Sequence, residues 1–166
     1  MGGGARTAAA GLMPDVAVRI RPAVAQDLDA IHSIEMSSFA VPWKRDGFRE
    51  LILGGTATVV VAESDNGIAG FAVSYVAADE AEIANVAVAK TARRAGTGRA
   101  LVDHVIADAQ RRGAAMVFLE VRESNVAARA LYAARGFVEL ARRAAYYENP
   151  REDAVVMRLD IVNAVF

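Results

Sequence analysis

The sequence predicts an α/β fold: one domain built on a central mixed β-sheet flanked by helices on both faces. Three observations predict it. Apolar, β-branched runs and amphipathic helical runs follow one another in the order β-α-α-β-β-β-α-β-α-β-β. Hairpin connections fall at both ends of that order and crossovers in the middle, which mixes antiparallel with parallel pairing. The chain has 166 residues, 54% of them hydrophobic, enough for one well-packed core and too few for two ordinary ones.

Each element has its own signal. Residues 16–21 alternate apolar and polar side chains as a short strand does, and Pro22 blocks its continuation before a helical pattern built on Leu28, Ile31 and Ile34. A segment containing Pro42 and Trp43 leads to a second, short helix over 46–53, with Phe48, Leu51 and Ile52 at helical spacing and Gly54-Gly55 as its stop. Residues 58–62 and 68–76 are β-branched runs around Asp65-Asn66-Gly67, a hairpin signal. A strand over 83–88 precedes a glycine-rich loop and a helix over 98–112. That helix sets Leu101, Val102, Val105, Ile106 and Ala109 on one face and has Gly113 just past its end. Residues 115–121 read as a buried strand and 125–135 as a helix ended by Gly136. Strands over 138–147 and 154–159 then pair around Asn149-Pro150. The expected organisation is a flexible, glycine-rich leader over 1–15, the domain over 16–160 and a short tail over 161–166.

Composition excludes several functions. The net charge is −1, so nothing in the overall balance points to nucleic acid or to an anionic membrane surface. There are no cysteines, which rules out disulfides, cysteine nucleophiles and thiolate metal sites and agrees with a reducing cytoplasm. No apolar run reaches the ~18 residues of a membrane span. His32 and His104 have no partner at ligand spacing, and no metal is expected.

The loop after the fourth strand reads Arg93-Arg94-Ala95-Gly96-Thr97-Gly98. Two glycines two positions apart allow a tight turn and close approach of backbone N–H groups to a ligand, and the following helix adds the positive end of its dipole. This suits a phosphate or pyrophosphate. The dinucleotide fingerprint does not fit, because Ala100 and Leu101 stand where its last glycine belongs, and no Gly-Lys-Ser/Thr follows to make a P-loop.

Arg93, Gly96 and Gly98 occupy the fixed places of the [Q/R]-x-x-G-x-[G/A] loop. A second stretch, Leu119-Glu120-Val121-Arg122, then Asn125, Ala128, Leu131-Tyr132 and Gly136-Phe137, accompanies it. Together these resemble the GNAT N-acetyltransferase superfamily. The longer text, through Tyr146-Tyr147 to Arg151-Glu152-Asp153-Ala154, resembles in particular its RimI group, bacterial ribosomal-protein alanine N-acetyltransferases. The resemblance covers roughly residues 19–159.

The resemblance implies acetyl-CoA as donor. The backbone of Val86, Ala87 and Val88 would pair with the pantetheine arm, a bulge there offering an N–H to the thioester oxygen. Residues Arg94, Ala95, Gly96, Thr97, Gly98 and Arg99 would wrap the pyrophosphate, with Arg93, Arg94 and Arg99 adding charge. These arginines are equally readable as solvated surface. Asn125 would hold pantetheine, or would only cap the helix that follows. The acceptor implied is a protein N-terminal α-amine, an alanine of a ribosomal protein, reached by direct transfer in a ternary complex in the cytoplasm. Two rivals remain: a relative acting on a small amine or a lysine side chain, and a non-catalytic acetyl-CoA-binding module.

Such a transfer needs a base, since an α-amine with a reference pKa of ~7.7 to 8.0 is mostly protonated at neutral pH. Strand alternation puts Met116, Phe118 and Glu120 on one face and Val117, Leu119 and Val121 on the other. Glu120 is then a carboxylate on an apolar strand, and desolvation would make it more basic. It is the candidate base, or else the end of a salt bridge with an arginine. Tyr132 lies seven residues after Asn125, two turns along the same helix face. Its phenol would protonate the leaving thiolate, or it is core packing beside Leu131. The acidic stretch Asp79, Glu80 and Glu82 is read as loop, able to attract a cationic N-terminus. Tyr146, Tyr147 and Pro42-Trp43 resemble the elements flanking the acceptor groove.

Overall fold

The computed structural model describes residues 17–161; the expected leader, Val16 and the tail beyond Ile161 lie outside the described residues. The elements are β1 (Arg19–Pro22), α1 (Leu28–Ser38), α2 (Arg45–Gly54), β2 (Thr58–Ser64), β3 (Gly67–Ala77), β4 (Glu80–Val88), α3 (Thr97–Arg111), β5 (Met116–Arg122), α4 (Val126–Ala134), β6 (Val138–Tyr147) and β7 (Glu152–Asp160). The strands form one seven-stranded sheet in the order β1-β2-β3-β4-β5-β7-β6. All neighbours are antiparallel except β4 and β5. The helix α3 makes the crossover between that parallel pair, as parallel strands require.

Two apolar clusters lie on opposite faces of the sheet. On one, Leu28, Ile31 and Ile34 of α1 and Phe48 of α2 pack on Val59, Val61, Phe71 and Val73. On the other, Leu101, Val102, Val105 and Ala109 of α3 pack with Tyr132, Phe137, Ile83, Val117, Leu119 and Val121. The alternation expected of β5 holds: Val117, Leu119 and Val121 are buried under α3 and α4, while Met116, Phe118 and Glu120 face the other way.

Three differences from the sequence reading bear on the site and its surroundings. Pro22 does not end β1 from outside; it is the last residue of that strand and pairs with Val60. A 3-10 turn over Ala25–Asp27 then intervenes before α1, held by Arg21, which donates to both oxygens of Asp27 at 2.8 and 2.9 Å. The strand β4 begins at Glu80 rather than at Ile83. Glu80 and Glu82 alternate with the buried Ala81 and Ile83, so the acidic stretch is mostly strand, and only Asp79 stays in the turn.

Candidate active site

The parallel ladder between β4 and β5 is short. It runs from Glu80↔Met116 to Ile83↔Leu119 and stops. In β4 the pairing to β3 jumps at that point, Val73 facing Asn85 and Ser74 facing Ile83, so Ala84 is a bulge residue. A bulge bends its strand and increases twist. Beyond it β4 keeps its pairing with β3, while Glu120, Val121 and Arg122 of β5 pair only with β7. The sheet is therefore split between Ala84–Val88 and Glu120–Arg122.

The free edge of β4 has a definite phase. Ala89 N–H donates to the Ala69 carbonyl at 2.8 Å. Antiparallel alternation then directs the N–H and C=O groups of Val86 and Val88 away from β3 and into the split, and turns those of Ala87 towards β3. Arg93 Nε reaches the Val88 carbonyl at 3.3 Å. The bulge itself lies at Ala84, two residues earlier than the Val86-Ala87-Val88 segment to which the sequence reading assigned it.

At the end of the split the glycine loop turns into α3. Arg94 (φ 64°) and Gly96 (φ 81°) both take left-handed backbone, and Gly96 is the residue from which α3 starts. The first helical bond is from Ala100 N–H to the Gly96 carbonyl, 3.0 Å, leaving the N–H groups of Thr97, Gly98 and Arg99 without intrahelical acceptors. Thr97 is buried, whereas Arg93, Arg94 and Arg99 are exposed and Ala95 half-buried. Gly98 is helical, so its backbone does not demand glycine. A Cβ there would sit 3.4 Å from Leu131 Cδ2 and 3.6 Å from Val88 Cγ2, filling space between α4 and the free strand edge.

Across the split, Asn125 caps α4 by accepting from Ala128 N–H at 3.1 Å through Oδ1, which leaves its amide NH2 free for another partner. Tyr132, two turns on, is buried against Phe137 with ring centroids 5.7 Å apart. Burial, with the Tyr147 phenol adding to it, pushes the Tyr132 hydroxyl up to about 12. It stays a proton donor throughout the neutral range.

Glu120 is on the other face. Its side chain is a quarter exposed, and Arg143 Nε lies 2.8 Å from Oε1. The carboxylate thus ends in a salt bridge, in a place that opens onto a groove. That groove is lined by Tyr75, Glu80, Glu82, Phe118, Glu120 and Arg143 among others. Two consecutive tyrosines stand beside Glu120 without lining that groove. Alternation would send Tyr146 and Tyr147 to opposite faces, but the β6 register shifts between Arg143 and Tyr147, where Ala145 is left-handed (φ 49°) and its N–H is held by Asp153 Oδ1 at 2.8 Å. A hydrogen bond to Glu120 raises the Tyr146 phenol, and burial, then Glu120, pushes that of Tyr147 up to about 12. Arg122 stacks over the Tyr147 ring at 4.4 Å.

Pro42 and Trp43 are not among the groove-lining residues; Trp43 packs on Phe48 at 5.5 Å and is partly exposed. Two groups escaped the sequence reading. Arg143 gave no signal, because its place beside Glu120 depends on how β6 returns along β7. Glu35 did give one: it is seven residues after Leu28, on the same face of α1, a carboxylate at a core position.

A sheet split in this way and open to both faces offers what group transfer between two substrates requires: a free backbone edge and a helix N-terminus on the side of Tyr132, and a carboxylate-lined groove on the side of Glu120. The fold and site define an N-acetyltransferase that uses acetyl-CoA. The chain belongs to the Acetyltransferase (GNAT) family, whose profile matches residues 28–137. It is 41% identical over 138 residues to the [ribosomal protein bS18]-alanine N-acetyltransferase of Escherichia coli K12, covering 81% of this chain and 92% of that protein. It is 34% identical to the putative [ribosomal protein bS18]-alanine N-acetyltransferase of Bacillus subtilis, covering 82% and 91%. The crystal structure of the ribosomal-protein-S18-alanine N-acetyltransferase from Escherichia coli matches with a TM-score of 0.80 and 37% identity, over 90% of this chain and all of the other. Ard1 from Thermoplasma volcanium matches with a TM-score of 0.80 at 27% identity, over 89% and 99%. No helix among the described residues is long and apolar enough to cross a membrane.

Proposed function

We propose that this acetyltransferase modifies the N-terminal α-amine of a protein beginning with alanine, a ribosomal protein of the bS18 kind, in the cytoplasm where that substrate is made. The names of the relatives support this acceptor. The observation that carries the chemistry is the split between β4 and β5, with Glu120 opening onto one face and Tyr132 approached from the other.

In this reading Val86 and Val88 hold the pantetheine arm through the groups they direct into the split, with Ala87 between them keeping the edge on β3. Asn125 adds its free amide NH2. Arg94, Ala95, Gly96, Thr97, Gly98 and Arg99 hold the pyrophosphate through unpaired N–H groups and charge, assisted by Arg93. Acetyl-CoA, once bound, supplies the activated acetyl group. Glu120 accepts a proton from the acceptor ammonium, directly or through a water, and so frees the nitrogen lone pair for the acyl carbon. Tyr132 gives its phenolic proton to the sulfur as the C–S bond breaks, and the second proton shed by the nitrogen as it becomes an amide returns the phenolate to phenol, while the proton held by Glu120 passes to solvent. Direct transfer needs no acyl-enzyme, and the chain has no cysteine to form one. Arg143 marks where a cation sits beside Glu120, the place the acceptor ammonium takes.

The test uses three peptides of one sequence: one with a free N-terminal alanine, one blocked at that amine, and one blocked there but carrying a lysine. The free alanine peptide is expected to have by far the highest kcat/KM. A preference for the lysine ε-amine overturns the acceptor assignment. Incubation of a lysate with labelled acetyl-CoA, followed by mass spectrometry of the acetylated N-terminus, identifies the natural acceptor.

A further inference from the structure

Glu35 is the most buried carboxylate among the described residues, 1% exposed, packed in α1 among Ile31, Ile34 and Phe48. Its two oxygens take different donors. Trp43 N–H donates to Oε1 at 2.9 Å, and Asn85 Nδ2 donates to Oε2 at 2.8 Å. An apolar side chain at position 35 would suit the surrounding cluster and avoid the cost of burying a charge. The carboxylate is instead used to join three parts of the chain.

What it joins is specific. Asn85 follows the bulge residue Ala84, lying between Ile83, where the β4–β5 ladder ends, and Val86, the first residue past the bulge whose N–H points into the split. The side chain that Glu35 holds is thus at the point where the sheet opens. Trp43 closes the irregular segment between α1 and α2, and its main chain is fixed there by the same carboxylate. On β4, Glu80 and Glu82 of the groove and Asn85 share one face of the sheet, because the bulge keeps Asn85 on the side of α1.

We infer that Glu35 is a positioning residue for the transfer. Through Asn85 it fixes the opening angle of β4, and through Trp43 it seats the segment between α1 and α2 against the same strand. The donor edge at Val86 and Val88 and the helical layer beside the acceptor groove then keep a constant separation. This inference rests on the reading that the free edge of β4 binds the donor.

Two variants break the link from opposite ends. In Glu35→Gln one oxygen becomes an NH2 that faces a donor, and in Asn85→Ala the bond is lost without any change in α1. Coenzyme A affinity is measured by calorimetry, kcat and KM with the alanine peptide, thermal stability by melting, and exchange of the Val86 and Val88 amides by hydrogen–deuterium exchange. Each variant is expected to bind coenzyme A about tenfold more weakly and to exchange those amides faster. The double variant is expected to be no worse than the poorer single one, since both remove one link. If Glu35→Gln does not fold, the same two readouts on Asn85→Ala decide the matter. The inference is overturned if a folded variant melts lower but keeps coenzyme A affinity and both KM values within twofold of the parent, or if the losses multiply in the double variant. Failure of the alanine assignment would change the peptide kinetics and leave the coenzyme A readout in place.

Discussion

Arg143 Nε lies 2.8 Å from Glu120 Oε1, so a guanidinium from β6 occupies the side of the carboxylate that faces the groove. The arginine side chain is 59% exposed, and on leaving gives up only this ion pair and its place over the Tyr146 ring, 5.7 Å from the centroid. Arg143→Gln removes the competing cation, and kcat/KM for the free alanine peptide is expected to rise up to about fivefold at low salt, the equivalent of ~1 kcal/mol for an exposed ion pair. The gain should shrink as added salt screens the groove. A lower kcat/KM would show instead that Arg143 holds the acceptor.

Glu120→Gln keeps shape while removing the proton acceptor. The rate is expected to fall about 10² or more with coenzyme A affinity unchanged, and the deficit to narrow at high pH, where more of the acceptor amine arrives neutral. Steady-state rates across pH check it, and a wild-type rate in the folded variant would return Glu120 to a structural salt bridge.

Tyr132→Phe deletes one oxygen from a buried ring, so binding of coenzyme A should persist while turnover drops about 10² to 10⁴. The pH profile carries a second expectation. With the phenol pushed up to about 12 by burial, it remains protonated well past the reference value of ~10, and wild-type kcat should not decline between about pH 7 and pH 10 through loss of this proton. A decline that the Phe variant abolishes would contradict the raised value.

Gly96→Val places a β-branched residue where φ is 81°, and coenzyme A should bind at least about tenfold more weakly, ~1.4 kcal/mol. Gly98→Val acts differently. Its backbone tolerates the change, and its loss comes from filling the space beside Val88 and Leu131, so its melting temperature should fall less than that of Gly96→Val. Calorimetry and melting curves separate the two.

Desolvation raises the Glu35 carboxyl above its ordinary 4.5, against the lowering effect of Trp43 N–H and Asn85. The folded protein therefore binds this proton more tightly than the unfolded chain does. Stability owed to this group is present at low pH and declines as pH rises from the ordinary carboxylate range through the raised folded value, beyond which the effect is constant. Measured as the difference in unfolding free energy between the parent and Glu35→Gln, the curve should slope downwards with pH in that window. An upward slope would mean that the ionised form is favoured by the fold.

Much of this was legible because it depends on neighbours in sequence. The face of β5 that carries Glu120 follows from alternation alone, and the turn at Gly96 follows from two glycines ahead of an amphipathic helix. Glu80 and Glu82 were read as loop because acidic runs are commonly solvated, although their alternation with Ala81 and Ile83 is a strand signal. What could not be read depends on long-range register. The partner of Glu120 comes from β6, two places away in the sheet with β7 between, and the pairing of Tyr146 with Tyr147 on one side needs a left-handed Ala145 that alanine does not advertise. The bulge at Ala84 likewise has no composition of its own.

That bulge has a genetic reading. Because Ala84 and Asn85 both face α1, loss of the single codon for Ala84 would leave Ile83 in one layer and Asn85 and Ala87 in the other, every side chain still on its proper side. The shortened strand would be regular and free to zip against β5 past Ile83. Such a protein would be expected to fold, and to have no opening for two substrates to meet in.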